Sequence, residues 1–314
     1  RIWTVEETRM VREADLAEYG HILSAAGCGA YLWLASEKAV VVLNPLTGKP
    51  ECVVPERGGA SCVCPVGDAE VWASSLDRHE IHRYDARTFS HVATLPVSTD
   101  APLFTLAAVG DTVWGGALSG SVYVWSLDGT ALAEHAGAHK RKVNAFVATD
   151  DAVWSGSDDS SILIWSRSTY QQVKKLEPHS GKIKHLGRFG PYVWVCAWDT
   201  SIKAFVAKEP YKIEHDLKDQ HTDAVSAIIF CQNAKRFNDW YAWTAAYDAT
   251  ICTWLLPDAD GSTRAGRKLS GGAGSTTQLD RAVQSQLHLA HAAGATSPRP
   301  TSPPPSAPGS AADS

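Results

Sequence analysis

Methionine is nearly missing from this chain, one residue in 314. Adaptable helical cores use methionine as a gap filler, and its scarcity beside twelve tryptophans points to a rigid β architecture. No run of eighteen apolar residues occurs, so the sequence offers no helical membrane span. A surplus of basic residues is lacking too. The formal net charge of −5 runs against the footprint of a nucleic-acid binder, and no nucleic-acid partner is expected. Seven cysteines lie scattered without CxxC spacing, which reads as free thiols in a reducing compartment and places the chain in the cytoplasm. Cys62 and Cys64, two apart on one side of a strand, read as core filler. The opening residues Arg1-Ile2-Trp3-Thr4-Val5 form neither a signal peptide nor a start, and are read as part of something longer.

What is present is periodic. Six short runs share a form, with tryptophan at 33, 72, 114, 154, 194 and 243, spaced 39, 42, 40, 40 and 49 residues apart. A period near forty marks one supersecondary unit copied many times. In the clearest copy, 139–178, Val143-Asn144-Ala145-Phe146-Val147 alternates as a half-buried strand, and Asp150-Asp151 turns into Ala152-Val153-Trp154-Ser155-Gly156-Ser157. Asp158-Asp159-Ser160 turns again into Ser161-Ile162-Leu163-Ile164-Trp165, and Tyr170-Gln171-Gln172-Val173-Lys174-Lys175-Leu176 closes a four-stranded meander. Units start near 21, 60, 102, 139, 179 and 221, and residues 1–19 read as the second half of a preceding unit. A polar insertion at 232–239 accounts for the last, longer interval. One such sheet leaves both faces bare, whereas sheets stacked around an axis cover each other. Past residue 256 the pattern stops: 257–277 reads as a linker, 278–293 as a short amphipathic helix, and 294–314 as a disordered Pro/Ser-rich tail.

Two units carry a further signature. His139, Ser155, Asp159 and Trp165 recur as His221, Thr244, Asp248 and Trp254, with ten residues from hydroxyl to tryptophan and six from aspartate to tryptophan in both. These units resemble WD repeats, whose hydrogen-bonded tetrads pin the blades of β-propellers, and Gln220-His221-Thr222-Asp223 is similar to that family's Gly-His-Thr-Asp. The unit between keeps His179 and Asp199 but has Val195 and Phe205 at the other two positions; Trp125 is paired with Gly115 and Ser119 in an earlier one. The resemblance implies an all-β WD-repeat propeller over 1–256 with four-stranded antiparallel blades, seven preferred and six the rival count. It implies a non-catalytic platform that docks peptide or protein partners. The Val-Trp-small pattern also resembles propellers appended to Rho-type exchange factors, Roco-type kinases and inositol polyphosphate 5-phosphatases, which keeps open a regulatory module of a larger signalling enzyme.

His139, Ser155 and Asp159 have the composition of a hydrolase triad, but a set duplicated at matched spacing reads as architecture. The histidine pairs 79/82, 135/139 and 288/291 lack cysteine partners, so no metal is expected. Gly48-Lys49 and Gly181-Lys182 lack the rest of a phosphate loop, and no cofactor is expected. Candidate partner-binding residues are of two kinds. In the family the residue before the turn aspartate faces the central opening, which implies Asp158, Trp198 and Tyr247. Lys140, Arg141 and Lys142, with Lys182 and Lys184 one repeat later, make a basic rim suited to acidic peptides or anionic lipid headgroups. Arg299-Pro300-Thr301-Ser302-Pro303 carries proline-directed phosphorylation sites within what reads as plain linker.

Overall fold

A computed structural model describes residues 2–3, 10–12, 14–55, 58–98, 101–218, 220–232 and 240–256. The expected linker, helix and tail, residues 233–239 of the insertion, the pair His288/His291 and the 299–303 motif all lie outside the described residues.

The described strands build a β-propeller of six blades, each an antiparallel meander. Blade 1 runs Ile22–Cys28, Tyr31–Ser36, Ala39–Asn44 and Lys49–Pro55. Blade 2 follows with Ala60–Val66, Glu70–Ser75, Glu80–Asp85 and His91–Pro96, and blade 3 with Leu103–Val109, Thr112–Ala117, Val122–Ser126 and Ala131–His135. Blade 4 holds Val143–Ala148, Ala152–Ser157, Ile162–Ser166 and Gln172–Leu176; blade 5 holds Ile183–Phe189, Tyr192–Ala197, Ile202–Val206 and Ile213–Leu217. Blade 6 has three strands, Val225–Gln232, Trp240–Ala246 and Ile251–Leu255.

The seven-blade preference is not supported. Among the described residues Ile2–Trp3 and Met10–Arg12 pair only with each other, not as the half of a four-stranded sheet. Instead Ala14, Leu16 and Tyr19, around a short 3-10 turn, pack on the face of blade 1 turned away from blade 2, against Leu34, Ala39, Val41 and Leu43. Residues 1–19 read as half of a preceding unit because their start resembles the end of a strand; of the described part, Ala14, Leu16 and Tyr19 instead cover a face of blade 1.

Second strands lie deep in each sheet, and their tryptophans form the seams between blades. Trp33 meets Tyr84 and Phe89 of blade 2 at 6.1 and 5.8 Å. Trp114 meets Phe146, Trp165 and Tyr170 of blade 4 at 6.1–6.2 Å. Trp154 lies 5.9 Å from Phe205 and 5.4 Å from Tyr211 of blade 5, and Trp194 is 6.4 Å from Phe230 of blade 6. Burying one indole takes about 150–250 Å² from water, worth at most roughly 4–6 kcal/mol. The constant spacing of tryptophan is thus the spacing of the seams.

Phe89, Tyr170 and Tyr211 share an unusual backbone, with φ of 61°, 60° and 59° in the turn before the fourth strand. Gly48 and Gly129 take that place in blades 1 and 3 without a Cβ penalty. An L-residue there costs about 1–2 kcal/mol, and edge-on contact with the preceding blade's tryptophan offsets it.

Blade 6 is the exception to the seams. On its face away from blade 5, Trp243 is half-buried and Ile229 and Ile251 are exposed. Among the described residues the core clusters join blades 1 to 2, 2 to 3, 3 to 4, 4 to 5 and 5 to 6, and none joins 6 to 1.

Candidate functional site

Each blade builds one corner of a rim by the same backbone device. The residue opening the turn between second and third strands donates its N–H to the carbonyl just before the first strand. These bonds run from Glu37 to His21, Leu76 to Gly59, Leu118 to Pro102, Asp158 to Lys142, Trp198 to Lys182 and Tyr247 to Ala224, at 2.9–3.2 Å. Beside each, the first strand carries a β-bulge at its second residue: Leu23, Ser61, Phe104, Asn144, Lys184 and Ser226. A bulge re-aims a side chain out of the pleat. Two of these side chains tie onto the next blade: Ser61 Oγ donates to the Leu103 carbonyl, and Asn144 Nδ2 to that of Ile183 at 2.7 Å.

Along blades 3 to 6 the rim residues converge. Asp158 accepts from Asn144 Nδ2 at 2.6 Å and pairs with Lys184 at 3.2 Å and Lys182 at 3.5 Å. Burial pushes the Asp158 carboxyl up, but the Asn144 bond and the two lysines outweigh it and hold it below its usual value. Both ammonium groups also lie over the Trp198 indole, at 4.5 and 5.0 Å. Trp198 meets Tyr247 edge-on at 6.1 Å, and the two rings are 40% and 64% exposed. The structure therefore brings Asp158, Trp198, Tyr247 and Lys182 together. Lys140 and Arg141 are exposed, and their side chains are not part of that group. Lys142, Lys184, Phe104 and Asn144 complete the arrangement.

The tetrads are internal ties. In blade 4 Trp165 Nε1–H donates to Ser155 Oγ at 2.9 Å, the Ser155 hydroxyl meets His139 Nε2 at 2.8 Å, and His139 Nδ1 faces Asp159 at 3.3 Å. Blade 6 repeats it: Trp254 to Thr244 at 3.0 Å, Thr244 to His221 at 2.8 Å, His221 to Asp248 at 3.1 Å. Burial pushes the Asp159 and Asp248 carboxyls up, yet donated hydrogen bonds win. Asp159 lies well below the carboxylate range, and Asp248 falls to about 2. Asp199 is held low in the same way through His179 and Ser201. A further hydroxyl missed from sequence sits beside each histidine Nδ1: Ser161, Ser201 and Thr250, at 3.0–3.1 Å. The repeated Asp-x-Ser/Thr triplet was its visible signal. Ser155 is fully buried, so no substrate reaches it as a nucleophile.

Blade 5 keeps half of this network. His179 meets Asp199 at 3.1 Å, but Val195 stands in the hydroxyl position and His179 Nε2 is buried without a partner. Blade 3 replaces the network with packing: a Cβ at Gly115 would sit 2.6 Å from the Trp125 ring, so glycine makes the room that the indole fills.

Among the described residues no group of three or more His, Cys, Asp or Glu could hold a metal ion. His135 donates instead to the Tyr170 carbonyl at 2.8 Å, and His82 bonds Thr94 at 3.1 Å. Burial pushes the Cys62 and Cys64 thiols up to about 12 and about 11, far from reactive thiolates. No described helix is long and apolar enough to cross a membrane.

No family model matches the chain. It is 35% identical over 71 residues to the Rho GTPase-activating protein gacL of Dictyostelium discoideum, a stretch covering 22% of this chain and only 10% of that protein. Among solved structures, a chain of the mitotic checkpoint complex superposes with a TM-score of 0.69 at 15% identity, over 82% of this chain and 81% of that one. The computationally designed Ika8 protein gives 0.63 at 22% identity, over 78% and 73%. At such identities the two structures speak for the propeller fold.

Proposed function

We propose that the protein is a non-catalytic interaction module of the WD-repeat type, acting in the cytoplasm, which docks a peptide or protein segment on the rim around Trp198 and Tyr247. One observation carries this reading. The two largest side chains on the rim stand side by side and open to solvent, while the seam tryptophans 33, 72, 114, 154 and 194 are all buried. Aromatic anchors that shed water on binding concentrate interface energy. Asp158 serves as a positioning group for Lys182 and Lys184, its carboxylate already engaged by three donors.

The test is affinity capture from a eukaryotic lysate with the full chain beside a Trp198→Ala, Tyr247→Ala double variant. Partners should be lost while thermal stability stays within about 0.5 kcal/mol of the parent, as for exposed positions. A matching loss of stability, or unchanged capture, would sink the assignment.

The likeness to a Rho GTPase-activating protein favours a second reading, a regulatory propeller within a larger signalling enzyme. Sequencing the full transcript decides it: an adjoining exchange-factor, GTPase-activating, kinase or phosphatase domain supports the reading, and none defeats it.

A further inference from the structure

The lysines beneath the rim outnumber the acid they share. Lys182 and Lys184 both pair with Asp158. The Lys142 ammonium, close enough for its charge to be felt alongside theirs, makes no ion pair or hydrogen bond among the described residues and lies 4.0 Å over the Phe104 ring. Three cations around one carboxylate leave two positive charges in excess, in a chain whose net charge is −5. Burial first, then the neighbouring Lys184, push the Lys142 pKa down against the opposing pull of Asp158.

Depth selects the kind of anion. The Lys184 side chain is 20% exposed and that of Lys182 is 35%, and both ammonium groups lie against the face of Trp198. A flat bilayer surface meets the exposed Lys140 and Arg141 first and stays above the recessed group. A short acidic side chain on an extended peptide reaches in, and its neighbours then lie on the two exposed rings.

Resting on the reading of this rim as a docking site, we propose that its occupant is an acidic peptide segment. One or two aspartate or glutamate side chains enter between Lys142 and Lys184, and an adjoining apolar side chain lies on Trp198 and Tyr247. The aromatic pair supplies apolar area, and the lysines supply selection against neutral and basic sequences.

The experiment is selection of a random displayed peptide library on the full chain, followed by titration of one enriched peptide against its glutamine- and asparagine-substituted copy. Enriched peptides should carry acidic residues beside an aliphatic or aromatic one, and the neutral copy should bind about tenfold weaker or worse, the worth of one charge-assisted contact. Lys142→Met and Lys184→Met, which keep the stems, should each weaken the acidic peptide about tenfold and flatten its salt dependence. Circular dichroism would show that both variants fold. Enrichment of neutral or basic peptides, or no enrichment, overturns the proposal. So does lysine-dependent sedimentation with phosphatidylserine vesicles, which would transfer the site to a membrane. If the lysine variants lose the peptide while Trp198→Ala, Tyr247→Ala keeps it, the acidic preference stands and the aromatic rim reading falls.

Discussion

Blade 5 contains an experiment that the repeat itself suggests. Val195 occupies the register held by Ser155 in blade 4 and Thr244 in blade 6, and His179 Nε2 is left buried without a partner. Val195→Thr adds a hydroxyl with almost no change of shape, and Thr244 shows the geometry it would take, 2.8 Å from its histidine. An unsatisfied buried acceptor costs about 1–3 kcal/mol, and a new hydrogen bond contributes about 0.5–1.5. Against this stands dehydration of the hydroxyl, whose oxygen gains no indole N–H because Phe205 replaces the tryptophan. The net gain should be about 1 kcal/mol, raising the melting temperature by roughly 2–4 °C. Val153→Thr in blade 4 is the control: it is equally buried, with no orphaned nitrogen to serve, and should lose about 1–2 kcal/mol. Thermal and urea unfolding of both variants reads the difference. Equal losses would refute the claim that His179 lacks a donor.

The intact networks respond oppositely. Ser155→Ala leaves both His139 Nε2 and Trp165 Nε1 unpaired and should cost roughly 2–4 kcal/mol in urea unfolding. Substitutions at the left-handed Tyr170 should invert the usual order: Tyr170→Ala loses the ring and keeps the strain, so it should be about 1 kcal/mol less stable than Tyr170→Gly, and the reverse order would discount the strain. Acid should act in two stages. His185 has its pKa pushed down by burial, so the unfolded chain binds the proton first, and stability begins to fall as pH drops through the usual histidine value near 6.5. Asp159, Asp199 and Asp248 are also depressed, so their contribution is complete above the usual carboxylate value and lost as pH falls from about 4 toward 2. Melting temperature against pH, with His185→Leu removing the first decline and Asp248→Asn softening the second, checks both.

Periodicity made the strands legible. The second strand of blade 4 lies at the residues read from the pattern, Ala152–Ser157, because apolar alternation and polar turns both mark its ends. Its fourth strand starts at Gln172, two residues later than read, because Tyr170 is spent on a left-handed turn that a tryptophan in another blade rewards. That reason lies a whole unit away in sequence. Trp198 and Tyr247 were legible as rim positions by analogy with turn aspartates. Lys142 and Lys184 were visible as part of a basic run but not as members of the aromatic group. What sorts them from Lys140 and Arg141 is the bulge and the carbonyl geometry at the start of each first strand, which no residue type announces. Blade count was the weakest inference: a half-unit at one end looks the same whether it opens a new sheet or lies over an old one.

The rim hydrogen bonds have a consequence for how recognition can change. Glu37, Leu76, Leu118, Asp158, Trp198 and Tyr247 are each anchored through a main-chain N–H that any residue but proline provides. Their diversity in this one chain already shows two acids, two leucines and two aromatics meeting the same demand. The side chains are therefore free to be rewritten with little effect on folding, as six letters of an address held in a fixed frame. Blades that share almost no sequence at these corners can drift toward new ligands one substitution at a time, and a designer could do the same deliberately.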